Sequence, residues 1–301
     1  MMVNAPIAIR PAFIAIDWGT TNRRAYAIAA DGAVMDMMRD DKGVLAVPRE
    51  AFAGEVAAIR ARLGDVPILC AGMVGSTRGW VEVPYRMCPA GLDALVEGLV
   101  WVEPGRTAIV PGLSFTAGDS SDVMRGEEVQ LLGAVAAGLA PADAVLCQPG
   151  THCKWAKVRG GVVADFRTAM TGEMFALLKA HSLLGDFLTG TVIDGPAFRD
   201  GLALAQDDRL LSSLFGERAG VVLGRRDASE TAARVSGLLI GADVREQDLV
   251  AGEEVHILAD AALGILYAAA VTAAGGTPVL IDSHIAFSAG ITAIWKAIDG
   301  R

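Results

Sequence analysis

The chain is 301 residues long and carries a formal net charge of −9; 52% of its residues are hydrophobic and 20% are charged. That length exceeds the commonest single-core size and, with so much apolar material, predicts two domains with large buried cores. The acidic balance and the lack of a long basic run exclude nucleic acid as a partner.

At the N-terminus, Arg10 and Pro11 interrupt an apolar stretch that ends at Asp17, which argues against a signal peptide. Residues 12–17, 24–30 and 33–38 read as three successive strands, the last two joined by the hairpin signal Asp31-Gly32. Between the first two lies Asp17-Trp18-Gly19-Thr20-Thr21-Asn22. A carboxylate ends the first strand, and the turn carries a glycine, two hydroxyls and free backbone N–H groups. Such a turn is either an ordinary polar hairpin or a phosphate clamp in which Asp17 holds a magnesium ion. Residues 48–63 read as a helix, with Pro48 in its first turn and Phe52, Val56 and Ile59 on one face. A buried strand is expected at 66–71. The stretch 72–92 has no clear period yet holds Trp80, Pro84, Tyr85, Arg86 and Pro89, so it is expected to be a functional loop rather than disorder. A strand at 107–110 closes the first half, and the domain boundary is expected near residue 112.

The second half opens with Gly118-Asp119-Ser120-Ser121-Asp122, a polar approach to a helix at 127–137. A buried strand at 144–148 stops at Pro149-Gly150-Thr151-His152, and 153–158 with 162–166 makes a hairpin around Gly160-Gly161. Cys147 and Cys153 flank the first of these turns with His152 beside them, but a second ligand pair is missing, so reduced thiols are expected rather than zinc. Helices are expected at 172–181, 195–206, 208–217 and 228–247, the last with Asp227 and Glu230 as a capping box. A strand at 255–258, a helix at 260–274, a strand at 279–281 and a helix at 284–297 complete the chain. The apolar helix at 260–274 is too short to span a bilayer, so a soluble, cytoplasmic protein without a membrane partner is expected.

The order strand, Gly-Thr turn, strand, glycine turn, strand thus occurs twice, at the start of each half. Two such turns facing each other would grip a nucleotide's phosphates from both sides. No Gly-Lys dipeptide, no G-x-G-x-x-G after a strand and no G-x-S-x-G occurs, which leaves a Walker A loop, a Rossmann site and a nucleophile elbow unsupported.

Five stretches carry a family likeness: Asp17-Trp18-Gly19-Thr20-Thr21-Asn22; Ala71-Gly72-Met73-Val74-Gly75-Ser76 through Gly79-Trp80 and Pro84-Tyr85; Asp122-Val123-Met124-Arg125-Gly126-Glu127-Glu128; Pro149-Gly150-Thr151-His152 with Lys154-Trp155; and Ser236-Gly237-Leu238-Leu239-Ile240-Gly241. In these the chain resembles the 2-dehydro-3-deoxygalactonokinases, within the hexokinase/actin/heat-shock-chaperone superfamily. The resemblance implies ATP-dependent phosphorylation of 2-dehydro-3-deoxy-D-galactonate at its terminal hydroxyl, with Mg2+, in galactonate breakdown. It implies an α/β fold of two RNase-H-like domains, each opening with a β-hairpin meander, with an ATP and substrate cleft between them. Residues 1–112 would then be the domain with the sugar-acid-binding loop, and 113–301 the domain with the nucleotide-binding elements. A related sugar or sugar acid as substrate, or a non-catalytic nucleotide-binding sensor, are the alternatives; the oligomeric state stays open, a homodimer among the options.

Phosphoryl transfer needs phosphate clamping, charge neutralisation and a base for the attacking hydroxyl. Asp17 is the metal-side carboxylate on this reading. Gly19, Thr20 and Thr21 clamp phosphate from one side, and Gly150 with Thr151 from the other. Glu127 and Glu128 stand at a helix N-terminus, where acids either simply complement the dipole or supply the base. The resembling kinases use a carboxylate at the start of this helix, so Glu127 is preferred as base, then Asp122. The keto acid's carboxylate calls for an arginine, and Arg24, Arg86 and Arg125 lie in or beside the matched stretches. Each is otherwise a salt-bridge partner. Trp80 and Tyr85 either wall the sugar pocket or anchor their loop, and His152 either positions the phosphate turn or is structural. Two departures stand out: Thr77-Arg78 replaces the family's usual Arg-Gln before Gly79-Trp80, and Ala259-Asp260-Ala261 replaces a glycine turn where the adenosine would rest.

Overall fold

The computed structural model describes residues 10–299; the residues before Arg10, which include most of the stretch read above for a signal peptide, and the last two lie outside the described residues. The chain is mixed α/β, with a six-, a five- and a three-stranded sheet. It divides into two compact units, one comprising residues up to 139 with 161–164 and those from 284 onward, the other 140–160 and 165–283.

In the first unit, β1 (Phe13–Trp18), β2 (Arg23–Ile28) and β3 (Val34–Asp40) form the expected antiparallel meander. Every residue of β1 except Asp17 is buried. Helix α1 (Phe52–Leu63) lays Phe52, Val56, Ile59 and Leu63 into the same core, as their spacing required. Strand β4 (Ile68–Gly72) runs parallel to β1, with Gly72 opposite Trp18. The stretch expected as one long loop holds a single 3-10 turn at Met73–Gly75 and the two-residue β5 (Arg86–Met87). After it come α2 (Leu92–Glu97), β6 (Val100–Glu103) and β7 (Thr107–Ile109), which complete the sheet in the order β3-β2-β1-β4-β7-β6. α2 and β6 are too short to display a period in sequence.

The expected polar approach to the next helix is instead a hairpin. β8 (Leu113–Ala117) and β9 (Ser120–Met124) pair around Gly118, whose φ of 56° is natural for glycine. β9 is exposed over most of its length, so Ser120-Ser121-Asp122 lacks the apolar alternation that marks a strand. Helix α3 (Glu127–Ala136) follows.

The second unit's sheet repeats the first one's plan. β10 (Ala144–Gln148), β11 (Cys153–Arg159) and β12 (Val162–Ala169) form its meander. Then come α4 (Thr171–His181), α5 (Pro196–Leu204), α6 (Leu210–Val222), α7 (Thr231–Arg245), β13 (Glu254–Ala259), α8 (Ala261–Ala273) and β14 (Thr277–Asp282). β13 lies parallel to β10 and β14 parallel to β13, giving the order β12-β11-β10-β13-β14. Asp260 caps α8 by accepting from the Leu263 amide at 3.0 Å. α7 is buried from Thr231 to Val244 and is the hub of this core. Its contact with α5 is made by glycines: a Cβ on Gly237 would collide with the Phe198 carbonyl, and one on Gly201 with the Arg234 carbonyl.

The last helix, α9 (Ser283–Asp299), belongs to the first unit from His284 onward. Phe287 packs on Tyr26 at 5.6 Å between ring centroids, Trp295 stacks on Phe13 at 5.0 Å, and His284 Nδ1 lies 3.1 Å from the Tyr26 hydroxyl. Among the described residues no helix is long and apolar enough to cross a membrane.

Candidate functional site

The parallel pairing of β1 with β4 puts the carboxyl ends of both strands side by side, and Asp17, within charge reach of Arg24 and Glu127, lies there. Asp17 sits next to the end of β1 with its side chain 20% exposed. Burial lifts its carboxyl to about 6; Arg24, whose Nη1 is 3.8 Å from Oδ2, holds it down, and the charge of Glu127 pushes it up. The following turn is tied from behind: the Thr20 and Thr21 carbonyls accept from Leu45 and Gly43 at 3.2 Å each, and the Gly19 carbonyl accepts from Val44 at 3.0 Å. The amides of Thr20 and Thr21 have no acceptor among the described residues, and both threonines are exposed. A fixed turn with exposed donors is what an anion clamp needs.

The N-terminus of α3 is brought to the same place by two glycines. Gly126 has φ 111° and Gly72 has φ 94°, conformations a side chain disfavours. A Cβ on Gly126 would lie 3.1 Å from the Gly72 Cα, so these backbones touch. Both acids of the first turn serve as caps. Glu127 Oε2 accepts from the Arg125 amide at 3.0 Å, and Glu128 Oε2 from the Gly126 amide at 2.7 Å. The two differ in environment. Glu127 is half-buried and within charge reach of Asp17. Glu128 is fully buried, and burial together with the Glu127 charge pushes its carboxyl up to about 8. Its Oε1 has no partner among the described residues.

Arg125 is the site's buried cation. It is 8% exposed, stacks its guanidinium 4.2 Å from the centroid of Tyr85, and donates from Nη2 to the Val83 carbonyl at 2.7 Å. Its Nε and Nη1 are buried with no partner among the described residues. Gly75 leaves the guanidinium room, since a Cβ there would come within 2.9 Å of Nη1.

The other predicted residues are placed differently. Asp122 lies on β9, in the separate three-stranded sheet, and accepts from its neighbour Val123's amide at 2.7 Å. Arg86 points outward to Glu97 at 3.4 Å, with its side chain 41% exposed. Trp80 stacks on Phe52 at 6.3 Å and 9° between planes, which makes it an anchor of its loop in the core. Tyr85 serves as the platform for Arg125. Arg78, which with Thr77 stands where the family usually has Arg-Gln, is exposed.

In the second unit, the turn at Gly150-Thr151 is held by the first turn of α4. The Thr151 carbonyl accepts from the Glu173 amide at 2.8 Å, His152 Nε2 lies 2.7 Å from Glu173 Oε2, and a Cβ on Gly172 would collide with the Gly150 carbonyl. Beside this turn opens a cavity of about 220 Å³, lined by Gly150, Thr171, Phe175, Ser236, Leu239, Leu263 and Tyr267 among others. Sequence reasoning noted the Ser236–Gly241 stretch without giving it a site. The signal was present: a largely apolar helix with one acid, Asp243, in its last turns.

A metal and a nucleotide both fit these groups. Among the described residues no three His, Cys, Asp or Glu side chains cluster as a metal cage. Mg2+ does not require one, because it is ordinarily held by one or two carboxylates with waters and substrate phosphates. A partly covered carboxylate whose charge is disfavoured, such as Asp17, gains from a cation. The mostly apolar cavity next to a Gly-Thr turn suits a nucleoside beside its phosphates.

The family model described as 2-keto-3-deoxy-galactonokinase matches residues 17–294. The 2-dehydro-3-deoxygalactonokinase of Escherichia coli strain K12 is 38% identical over 291 residues, covering 95% of this chain and 98% of its own. The crystal structure of a protein described as a 2-dehydro-3-deoxygalactonokinase, from Sinorhizobium meliloti, superposes with a TM-score of 0.86 at 33% identity, over 95% of this chain and 96% of the other. At the level of fold alone, the activator of 2-hydroxyisocaproyl-CoA dehydratase from Clostridium difficile, solved with bound ADPNP, superposes with a TM-score of 0.51 at 10% identity, over 96% of each chain. The chain belongs to the 2-keto-3-deoxy-galactonokinase family.

Proposed function

We propose that this kinase transfers the terminal phosphoryl group of ATP to the terminal hydroxyl of 2-dehydro-3-deoxy-D-galactonate. The observation that carries the reading is the gathering of Asp17, Glu127 and the half-unpartnered Arg125 at the joined ends of β1, β4 and α3. The two units correspond on this reading to RNase-H-like domains, the first holding the sugar acid and the second the nucleoside.

Bound Mg-ATP supplies an activated phosphoryl group whose charge the metal spreads. The chain's own residues do the rest. Arg125 offers Nε and Nη1 to the substrate carboxylate in a dry setting, where a charge-assisted pair is strong. It is better suited than Arg24, which is held by Asp17, or Arg86, which is held by Glu97 at the surface. Glu127 keeps Oε2 on the Arg125 amide and has Oε1 left to take the proton of the attacking hydroxyl. Asp17 would hold the cation, and the amides of Thr20 and Thr21 offer donors to phosphate oxygens. The Gly150-Thr151 turn provides a second clamp, with the apolar cavity beside it for the base.

The test is ADP release by purified protein with Mg-ATP and a panel of sugar acids and neutral hexoses. Turnover is expected with 2-dehydro-3-deoxygalactonate, and Asp17→Asn should abolish it. Turnover with a neutral hexose and none with the keto acid would sink the substrate assignment. Activity of Asp17→Asn within a few-fold of wild type would sink the metal assignment.

A further inference from the structure

The second unit holds a buried carboxylate with three hydrogen bonds that has no part in the transfer itself. Asp243, on the inner face of α7, is 4% exposed. Its Oδ1 accepts from Trp155 Nε1 at 2.8 Å, and its Oδ2 accepts from Thr171 Oγ1 at 2.7 Å and from the Tyr267 hydroxyl at 2.8 Å. The three donors come from β11, from the first turn of α4 and from α8, so one side chain on α7 ties together four elements. The cost of burial is visible, since desolvation raises its carboxyl despite these bonds. Replacing a buried ionic group and its partners by apolar residues of like volume is often neutral for a core, so stability alone does not require a carboxylate here. Its presence calls for another reason.

That reason lies in what the donors touch. Thr171 and Tyr267 both line the cavity beside Gly150. Both hydroxyls donate to Asp243, which sets the orientation of the two side chains that form this wall. Thr171 also precedes Gly172, whose Cα packs against the Gly150 carbonyl, and Glu173, whose amide donates to the Thr151 carbonyl. The same carboxylate therefore fixes the first turn of α4 against the phosphate turn. We propose that Asp243 is a positioning residue for the nucleotide: by holding Thr171 and Tyr267 it sets the shape of the base and ribose wall and the placing of the Gly150-Thr151 turn. The inference rests on the reading of this cavity as the nucleotide site.

The deciding variant is Asp243→Asn. Trp155 Nε1 can only donate, so the asparagine must keep its oxygen there and turn its NH2 toward Thr171 and Tyr267. Both hydroxyls must then reverse their roles, while the volume is unchanged. Steady-state kinetics with ATP and the sugar acid varied separately should show the ATP KM up about tenfold and the sugar-acid KM within twofold of wild type. A core residue with a purely structural role would lower the melting temperature without splitting the two constants. If Asp243→Asn is not recovered folded, the double variant Thr171→Val with Tyr267→Phe removes both donors to Oδ2, and the same split is expected. An ATP KM within twofold of wild type in the folded variant tested, or equal rises in both constants, overturns the proposal. Leu263→Trp separates this from the underlying reading, because it fills the cavity from the first turn of α8. If it leaves the ATP KM unchanged, the cavity is not the nucleotide site and the inference falls with it. If it raises the ATP KM while the Asp243 variants do not, only the positioning role is overturned.

Discussion

Replacing Glu128 with glutamine tests the electrostatics of the α3 N-terminus. The side chain is fully buried, one oxygen accepts from the Gly126 amide, and the other has no partner among the described residues. Burial and the neighbouring Glu127 charge move the carboxyl from the ordinary 4.5 to about 8. A carboxyl raised in the folded state favours folding through its protonated form. Its contribution is full below about 4.5 and is lost as pH rises through about 8. At about 1.4 kcal/mol per tenfold change in proton affinity, the ceiling on that loss is about 5 kcal/mol. Relaxation around the ionised group brings the expected figure to about 2 kcal/mol. Glutamine has the shape of the protonated acid and does not titrate, so the variant escapes the loss. Thermal melting from pH 5 to pH 9 should show wild type and Glu128→Gln close together at pH 5. At pH 9 the variant should be ahead by about 4–8 °C, at about 2–4 °C per kcal/mol for a chain of this size. Parallel curves across the whole range would refute the argument, because they would mean that Glu128 titrates alike folded and unfolded.

Four further variants test the packing and the site. Arg125→Lys keeps the charge but loses the planar fork over Tyr85, so the sugar-acid KM should rise about tenfold or more with the ATP KM unchanged; equal effects on both substrates would remove Arg125 from the carboxylate. Gly237→Ala forces a methyl against the Phe198 carbonyl and should cost about 1–3 kcal/mol, read as a lower melting temperature; unchanged stability would show that α5 and α7 can separate cheaply. Trp80→Ala removes the ring stacked on Phe52 and should cost about 3 kcal/mol of stability, whereas Arg86→Ala, which breaks only a surface pair, should leave stability and both KM values near wild type.

The sequence alone determined the elements that are long and periodic. The opening meander, α1, the second meander and the run from α7 to α9 are legible because burying one face imposes a period of two or 3.6. The two Gly-Thr turns were legible as a repeat for the same reason, since each must follow a strand of the same kind. Short pieces were not: α2, β6 and the β8-β9 hairpin hold too few residues for a pattern to rise above chance, and β9 is mostly exposed. What only the tertiary structure decided is which groups meet. That α9 packs on Phe13 and Tyr26, at the other end of the chain, is a long-range choice no local rule encodes. Arg24, Arg86 and Arg125 look alike in sequence. Packing sets one against Asp17 and one against Glu97, and leaves the third buried with two nitrogens that have no partner among the described residues. Glu127 and Glu128 are neighbours of identical chemistry, and the 100° step of the helix leaves one half-buried within charge reach of Asp17 and puts the other in the core. Asp243 is the lone acid of α7 until the fold brings three donors to it. Propensity and spacing act over a few residues, whereas charge, burial and partnership are set by groups far apart in the chain. The sequence therefore specifies the scaffold, and the tertiary structure assigns the roles on it.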